Sequence, residues 1–166
     1  MFNVNDTILY GTHGICKVTD ITEQRFNGKS NKYYILQPHH NPSSTIYVPT
    51  DNEKLVSRMR HTLSEEEIYE LVKAMRDMEC SWIENKNERN ENFRSILTSG
   101  DRAEILKLIK IIYQQKLKLK EAGKKLHTSD EQFFREAEKV IYDEFALVLN
   151  LRYDEVLPFI VKEISN

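Results

Sequence analysis

The chain has 166 residues, 24 Lys plus Arg against 26 Asp plus Glu, and a formal charge of −2, which gives no reason to expect strong, indiscriminate nucleic-acid binding. With 40% hydrophobic and 30% charged residues, 5 Gly and 4 Pro, it is neither disordered nor collagen-like in composition. No apolar run approaches the roughly 20 residues of a membrane span. The start, Met1 to Gly11, lacks the charged and apolar regions of a signal peptide. Cys16 and Cys80 lie far apart with no CxxC spacing. A zinc site or disulfide framework is therefore not expected. The expectation is a soluble cytoplasmic protein that makes no membrane contact.

In chain order, residues 1–60 carry four segments rich in β-branched and aromatic residues: Thr7–Tyr10, Ile15–Thr22, Lys32–Gln37 and Thr45–Val48. Turn residues separate them. Asn27-Gly28 is a two-residue hairpin signal, since a type I′ turn needs positive φ at both central positions. The spacing leaves no room for crossover helices, so the pairing is expected to be antiparallel, in a small, strongly bent sheet or SH3-like β-barrel.

Helical periodicity begins near residue 62. Ser64 with Glu67 forms a capping box, and Leu63 with Ile68 a hydrophobic staple. A second helix is expected over about 80–98, closed by Gly100. Asp101 with Glu104 starts a third, lined by Ile105, Leu108, Ile109, Ile112 and Leu119 and closed by Gly123. Ser129 with Gln132 is expected to cap a fourth, with Phe134, Ala137, Ile141, Phe145 and Val148 as its stripe. A short helix from about Asp154 to Ile164 ends the series. The expected fold is thus α+β, a β domain over 1–60 and a bundle of about five helices over 61–166.

Charge is segregated within the helical half. Residues 101–125 hold 8 basic and 3 acidic side chains, whereas 61–100 hold 5 and 9, and 126–166 hold 4 and 9. On a helical wheel Lys107, Lys110, Lys118 and Lys125 share a stripe opposite Ile105, Ile109 and Ile112. Two readings stand: a solvated helix face, or a track for a phosphate backbone. Trp82, the single tryptophan, precedes an almost wholly polar stretch from Glu84 to Asn92. It is either an exposed anchor or a packed side chain. The five histidines complete no ligand set, none of the common catalytic or phosphate-binding motifs occurs, and Asp143-Glu144 reads as ordinary surface. A binding role without enzyme activity, cofactor or metal is expected.

The order Met1-Phe2-x-Val4-x-Asp6-Thr7-x-x-Tyr10-Gly11-x-x-Gly14, then Tyr33-Tyr34-x-Leu36 and Ile46-Tyr47-Val48-Pro49, resembles the CarD/CdnL family of bacterial transcription regulators. Their first domain is shared with transcription-repair coupling factor. Trp82, Leu97-x-Ser99-Gly100-Asp101, Ile105–Tyr113, Ser129-x-x-Gln132, Ala137 and Glu144-x-Ala146-Leu147 continue the resemblance. It implies a Tudor-like domain that docks on the RNA polymerase β subunit, and a helical domain lying against promoter DNA. There the tryptophan acts as a minor-groove wedge that supports the open complex.

Carried onto this chain, the resemblance implies polymerase contacts at Arg25, Tyr47, Val48 and Pro49. It implies DNA contacts at Trp82, Lys86 and Arg89, to which the lysine stripe adds Lys107, Lys110 and Lys118, made by a monomer within the complex. Tyr47 stands where family members often place an arginine. Gln24 strictly aligns with the family's other basic contact, beside Arg25. The stretch from Trp82 to Ser99 is longer by one helical turn, roughly 6 Å.

Overall fold

The computed structural model describes residues 1–165. Two compact units form, Met1–Thr62 and the chain from Leu63 onward.

In the first unit β1 (Thr7–Tyr10), β2 (Ile15–Phe26), β3 (Lys29–Pro38), β4 (Ile46–Pro49) and β5 (Met59–His61) make one antiparallel sheet in the order β4-β3-β2-β1-β5. A one-turn helix, α1 (Glu53–Val56), is capped by the Asn52 side chain and leads into β5. β5 lies at the end of the first unit, across the expected domain boundary at 60/61. β2 and β3 form the hairpin that Asn27-Gly28 signals, with φ of 50° and 79° at the two turn residues.

The sheet is open rather than the expected closed barrel. Its edge strands are four and three residues long, too short to curl round and pair with each other. A bulge between Val18 and Asp20 bends the hairpin, and the Thr19 hydroxyl donates to the Ile35 carbonyl at 3.1 Å. One face buries Ile8, Tyr10, Cys16, Val18, Tyr34, Leu36 and Val48.

The second unit contains α2 (Glu65–Ala74), α3 (Lys86–Ser99), α4 (Arg102–Glu121), α5 (Thr128–Leu149) and α6 (Tyr153–Ser165). The Ser64/Glu67 capping box closes as expected, with both reciprocal hydrogen bonds present. Asp101 caps α4 by accepting from the Glu104 N–H at 3.1 Å. Gly100 ends α3 in the left-handed region, φ 66°.

Three expectations change. α3 begins at Lys86, not near 80, because the Asn85 side chain caps it there by accepting from the Glu88 N–H. Lys125 lies beyond α4 and so leaves the lysine stripe. The residue before α5 is His127 with no side-chain cap, while Ser129 sits inside the first turn.

The core of this unit gathers Ile68, Val72, Met75, Phe93, Ile105, Ile109, Ile112, Phe134, Ile141 and Phe145. Two long cations then satisfy carbonyls at helix ends. Lys110 of α4 donates to the carbonyls of Met75 and Met78, at 2.6 and 3.1 Å, just past α2. Arg76 donates to those of Glu163 and Ile164 in the last turn of α6, at 3.0 and 3.1 Å. Both place positive charge at C-terminal helix ends, where the helix dipole is negative.

Glu144 is fully buried, not the surface residue its neighbours suggested. Its carboxylate accepts from Arg102 through Nε at 2.7 Å and Nη2 at 2.8 Å, and from the Leu63 N–H at 2.8 Å. It thereby joins α5 to the starts of α2 and α4. Replacing a partner in such a pair leaves a buried charge unmatched. Glu144→Gln is expected to lower the unfolding free energy in urea by about 3–5 kcal/mol. Asp154→Asn, which removes only an exposed pair with Arg152, is expected to change it little. Equal effects of the two would contradict this assignment.

Candidate functional site

Two regions hold the residues singled out by sequence. The first is the β4 side of the sheet. Residues paired across strands share a face, so the pairs Tyr34–Val48 and Ile35–Tyr47 lie on opposite faces. Val48 is fully buried in the core, which removes its side chain from any surface contact. Tyr47 and Pro49 project to the other face. There Tyr47 meets Phe26 at 5.4 Å and Tyr33 at 6.2 Å, and Phe26 meets Tyr33 at 5.3 Å, all edge-on. Phe26 and Tyr47 are 46% and 43% exposed, so this aromatic trio is an apolar surface patch. Arg25 is exposed at the hairpin tip, but alternation points it away from the trio. The four residues expected to act together are thus divided between two faces.

The backbone of β4 adds a second feature. Thr50 N–H donates to the Lys32 carbonyl at 2.9 Å. Alternation along an antiparallel ladder then turns the N–H and C=O of Tyr47 away from β3, onto the outer edge. Among the described residues, no strand of this sheet pairs with that edge. Pro49 has no N–H, and its carbonyl accepts from Asn52 at 3.2 Å. Tyr47 is therefore the residue of β4 that offers both a donor and an acceptor there.

The second region surrounds Trp82, in the irregular segment between Met78 and Asn85. The indole is partly buried. It meets Phe93 at 6.1 Å, and the Arg89 guanidinium lies over it, 4.5 Å from the ring centroid. Neither open reading holds alone, because the ring packs on the core and still reaches solvent.

Two of the expected DNA contacts are withdrawn. Arg89 is 3% exposed, and its fork is filled by Asp130: Nε to Oδ1 and Nη2 to Oδ2, both 2.9 Å. Its Nη1 donates to the carbonyls of Ile83 and Glu84 at 2.9 and 3.2 Å. Four of its five N–H donors are thus engaged inside the protein, and its burial keeps it from a phosphate. Lys110 is likewise committed to the carbonyls after α2. Lys86 and Lys118 are exposed, and Lys107 is partly so. Lys116, on the same helix, reaches Glu131 at 3.8 Å.

Sequence reasoning missed Phe26 as a partner of Tyr47, though both occupy outward positions of a period-two pattern. It missed the Arg89–Asp130 pair for want of any local signal. Among the described residues, no group of three or more His, Cys, Asp or Glu could hold a metal. No helix there is long and apolar enough to cross a membrane. A shallow concavity along α3, lined by Glu91, Arg94, Ser95 and Thr98, contains no paired nucleophile and base.

The cysteines check both regions at once. Cys16 is fully buried, and burial pushes its thiol up to about 11, whereas Cys80 beside Trp82 is only partly buried. Alkylation of native protein near pH 8 is expected to stop at one thiol per chain, at Cys80, because reaction requires an accessible thiolate. Equal labelling of both cysteines would contradict the packing of the β core.

Residues 2–60 match the family model described as the CarD-like/TRCF RID domain. That span coincides with the first unit, from the buried Phe2 to the start of β5, and includes the β4 edge and the aromatic trio. The N-terminal unit of this chain therefore belongs to the CarD-like/TRCF RNA polymerase-interacting domain family, which makes this a transcription-related protein that interacts with RNA polymerase.

Proposed function

We propose that this protein is a non-enzymatic transcription regulator that docks on the polymerase β subunit through its N-terminal unit and contacts promoter DNA through its helical unit. The family match over residues 2–60 carries this reading. The β4 edge supplies a physical route, because a partner strand can add to it through the main chain of Tyr47. Tyr47, Phe26 and Tyr33 would sit beside that strand as aromatic anchors. Pro49 contributes contact surface without a donor, Arg25 a separate cation on the other face.

On the helical unit Trp82 is the proposed wedge. An aromatic edge inserted beside an unstacked base step gains contact that intact duplex does not offer. Lys86, Lys107 and Lys118 are the proposed phosphate contacts. With polymerase holding the protein in place, weak DNA affinity is enough, because tethering raises the effective concentration. Tighter binding to melted than to closed promoter then shifts the population toward the open complex. A monomer without cofactor is sufficient for this.

A second reading, a polymerase-bound adaptor whose helices bind another protein, gains support from the internal use of Arg89 and Lys110. With those cations committed, few basic side chains remain near Trp82.

Trp82→Phe is expected to keep the fold and polymerase binding, and to shorten open-complex lifetime about fivefold, the effect of removing ~1 kcal/mol of aromatic interaction. An unchanged lifetime removes Trp82 from the mechanism. Charge reversal of Lys86, Lys107 and Lys118 together is expected to weaken assembly on promoter DNA. It should also reduce the salt slope by roughly one unit for each phosphate no longer neutralised. Assembly equal to the parent's would favour the adaptor.

A further inference from the structure

The geometry points to Arg89 as a positioning residue for Trp82, one that holds the indole in its working orientation before any DNA arrives. The inference rests on the reading of Trp82 as a DNA contact and adds what sets its geometry. The segment from Met78 to Asn85 has no helix or strand to fix it. One guanidinium holds it from three directions. It lies over the indole, 4.5 Å from the ring centroid, and its Nη1 donates to the carbonyls of Ile83 and Glu84 at 2.9 and 3.2 Å. The fork is locked on both oxygens of Asp130, at side-chain exposures of 3% and 1%.

This arrangement explains why α3, with few apolar residues, buries a charge in its first turns. A buried ion pair is weak support for stability, since well-packed apolar groups in its place are often neutral. What the pair does here is directional. A planar cation can stack on a ring and donate to two oxygens at fixed angles, and lysine cannot do both. Phe93 touches the indole only from one side, 6.1 Å between centroids. Preorganisation of this kind lowers the entropic cost of inserting the ring into DNA.

Trp82 is the single tryptophan, so intrinsic fluorescence reports on this ring alone. In the wild-type chain without DNA, time-resolved anisotropy is expected to show overall tumbling with no fast local component. Arg89→Met/Asp130→Leu removes the clamp without stranding a buried charge. It is expected to fold and to gain a fast anisotropy component. Its open-complex lifetime should fall roughly three- to tenfold, the scale of removing a cation–π interaction together with the positioning it provides. Arg89→Lys should give the same changes in smaller measure.

A mobile indole in the wild type overturns the proposal, as does a rigid one in the double variant. So does a loosened indole with full open-complex lifetime, if Trp82→Phe shortens that lifetime. If Trp82→Phe itself has no effect, the DNA reading fails, while the fluorescence result still supports Arg89 as the residue that positions the ring.

Discussion

α5 carries two buried carboxylates, and neither can stay charged in the interior without a partner. Asp130 and Glu144 are 14 residues apart, which on an α-helix is about 21 Å of rise with nearly the same facing. Each receives a forked guanidinium from another helix, Asp130 from Arg89 of α3 and Glu144 from Arg102 of α4. Glu144 also accepts the Leu63 N–H where the chain enters the helical unit. The starts of α2 and α4 and the first turns of α3 are thereby referenced to one helix. Apolar packing supplies the larger share of the driving force, but it is not directional. The two ion pairs add fixed, directional contacts between α5 and its neighbours that apolar packing alone does not make.

That constraint reaches the candidate surfaces. Because the Arg89 fork is spent on Asp130 and its face on Trp82, the cation nearest the tryptophan orients the ring rather than meeting phosphate. Lys110 is spent on the Met75 and Met78 carbonyls after α2, which thins the basic stripe further. For the proposed DNA contact this leaves a partly exposed indole with Lys86, Lys107 and Lys118. Such a surface suits a protein delivered to its site by a larger machine better than one that searches DNA by charge. In the β unit the division of labour is similar. Val48 serves the core, while Tyr47 turns outward with its side chain on the aromatic patch and its main chain on the open edge.

Local signals in the sequence were readable, and distant pairings were not. Ser64 with Glu67, Asp101 with Glu104, and Asn27-Gly28 each act within three residues, so spacing alone predicts them. The apolar stripes of α4 and α5 follow from periodicity in the same way. Arg89 and Asp130 lie 41 residues apart, and Arg102 and Glu144 lie 42 apart. Periodicity places Glu144, three residues after Ile141 and four before Val148, on the apolar face of α5 and Asp143 opposite it, but it names no partner for the buried acid. The start of α3 was misplaced because the polar run after Trp82 satisfies helical periodicity as well from 80 as from 86. Only the cap at Asn85 decides it. Closure of the sheet was also out of reach, since it depends on the lengths of β4 and β5 and on which strands pair.

The proposed function stands on one contact above all, that of the N-terminal unit with polymerase along the β4 edge. Its direct test is the affinity of the full chain for purified RNA polymerase, compared with that of the Tyr47→Pro variant. Proline is tolerated where an edge N–H faces outward, so the strand should survive the change. Expected are binding by the wild type and a loss of about fivefold or more in the variant, with ~1 kcal/mol from the main-chain hydrogen bond and the rest from the aromatic side chain. Equal binding by the two would contradict docking at this edge. No binding by the wild type would contradict polymerase docking altogether.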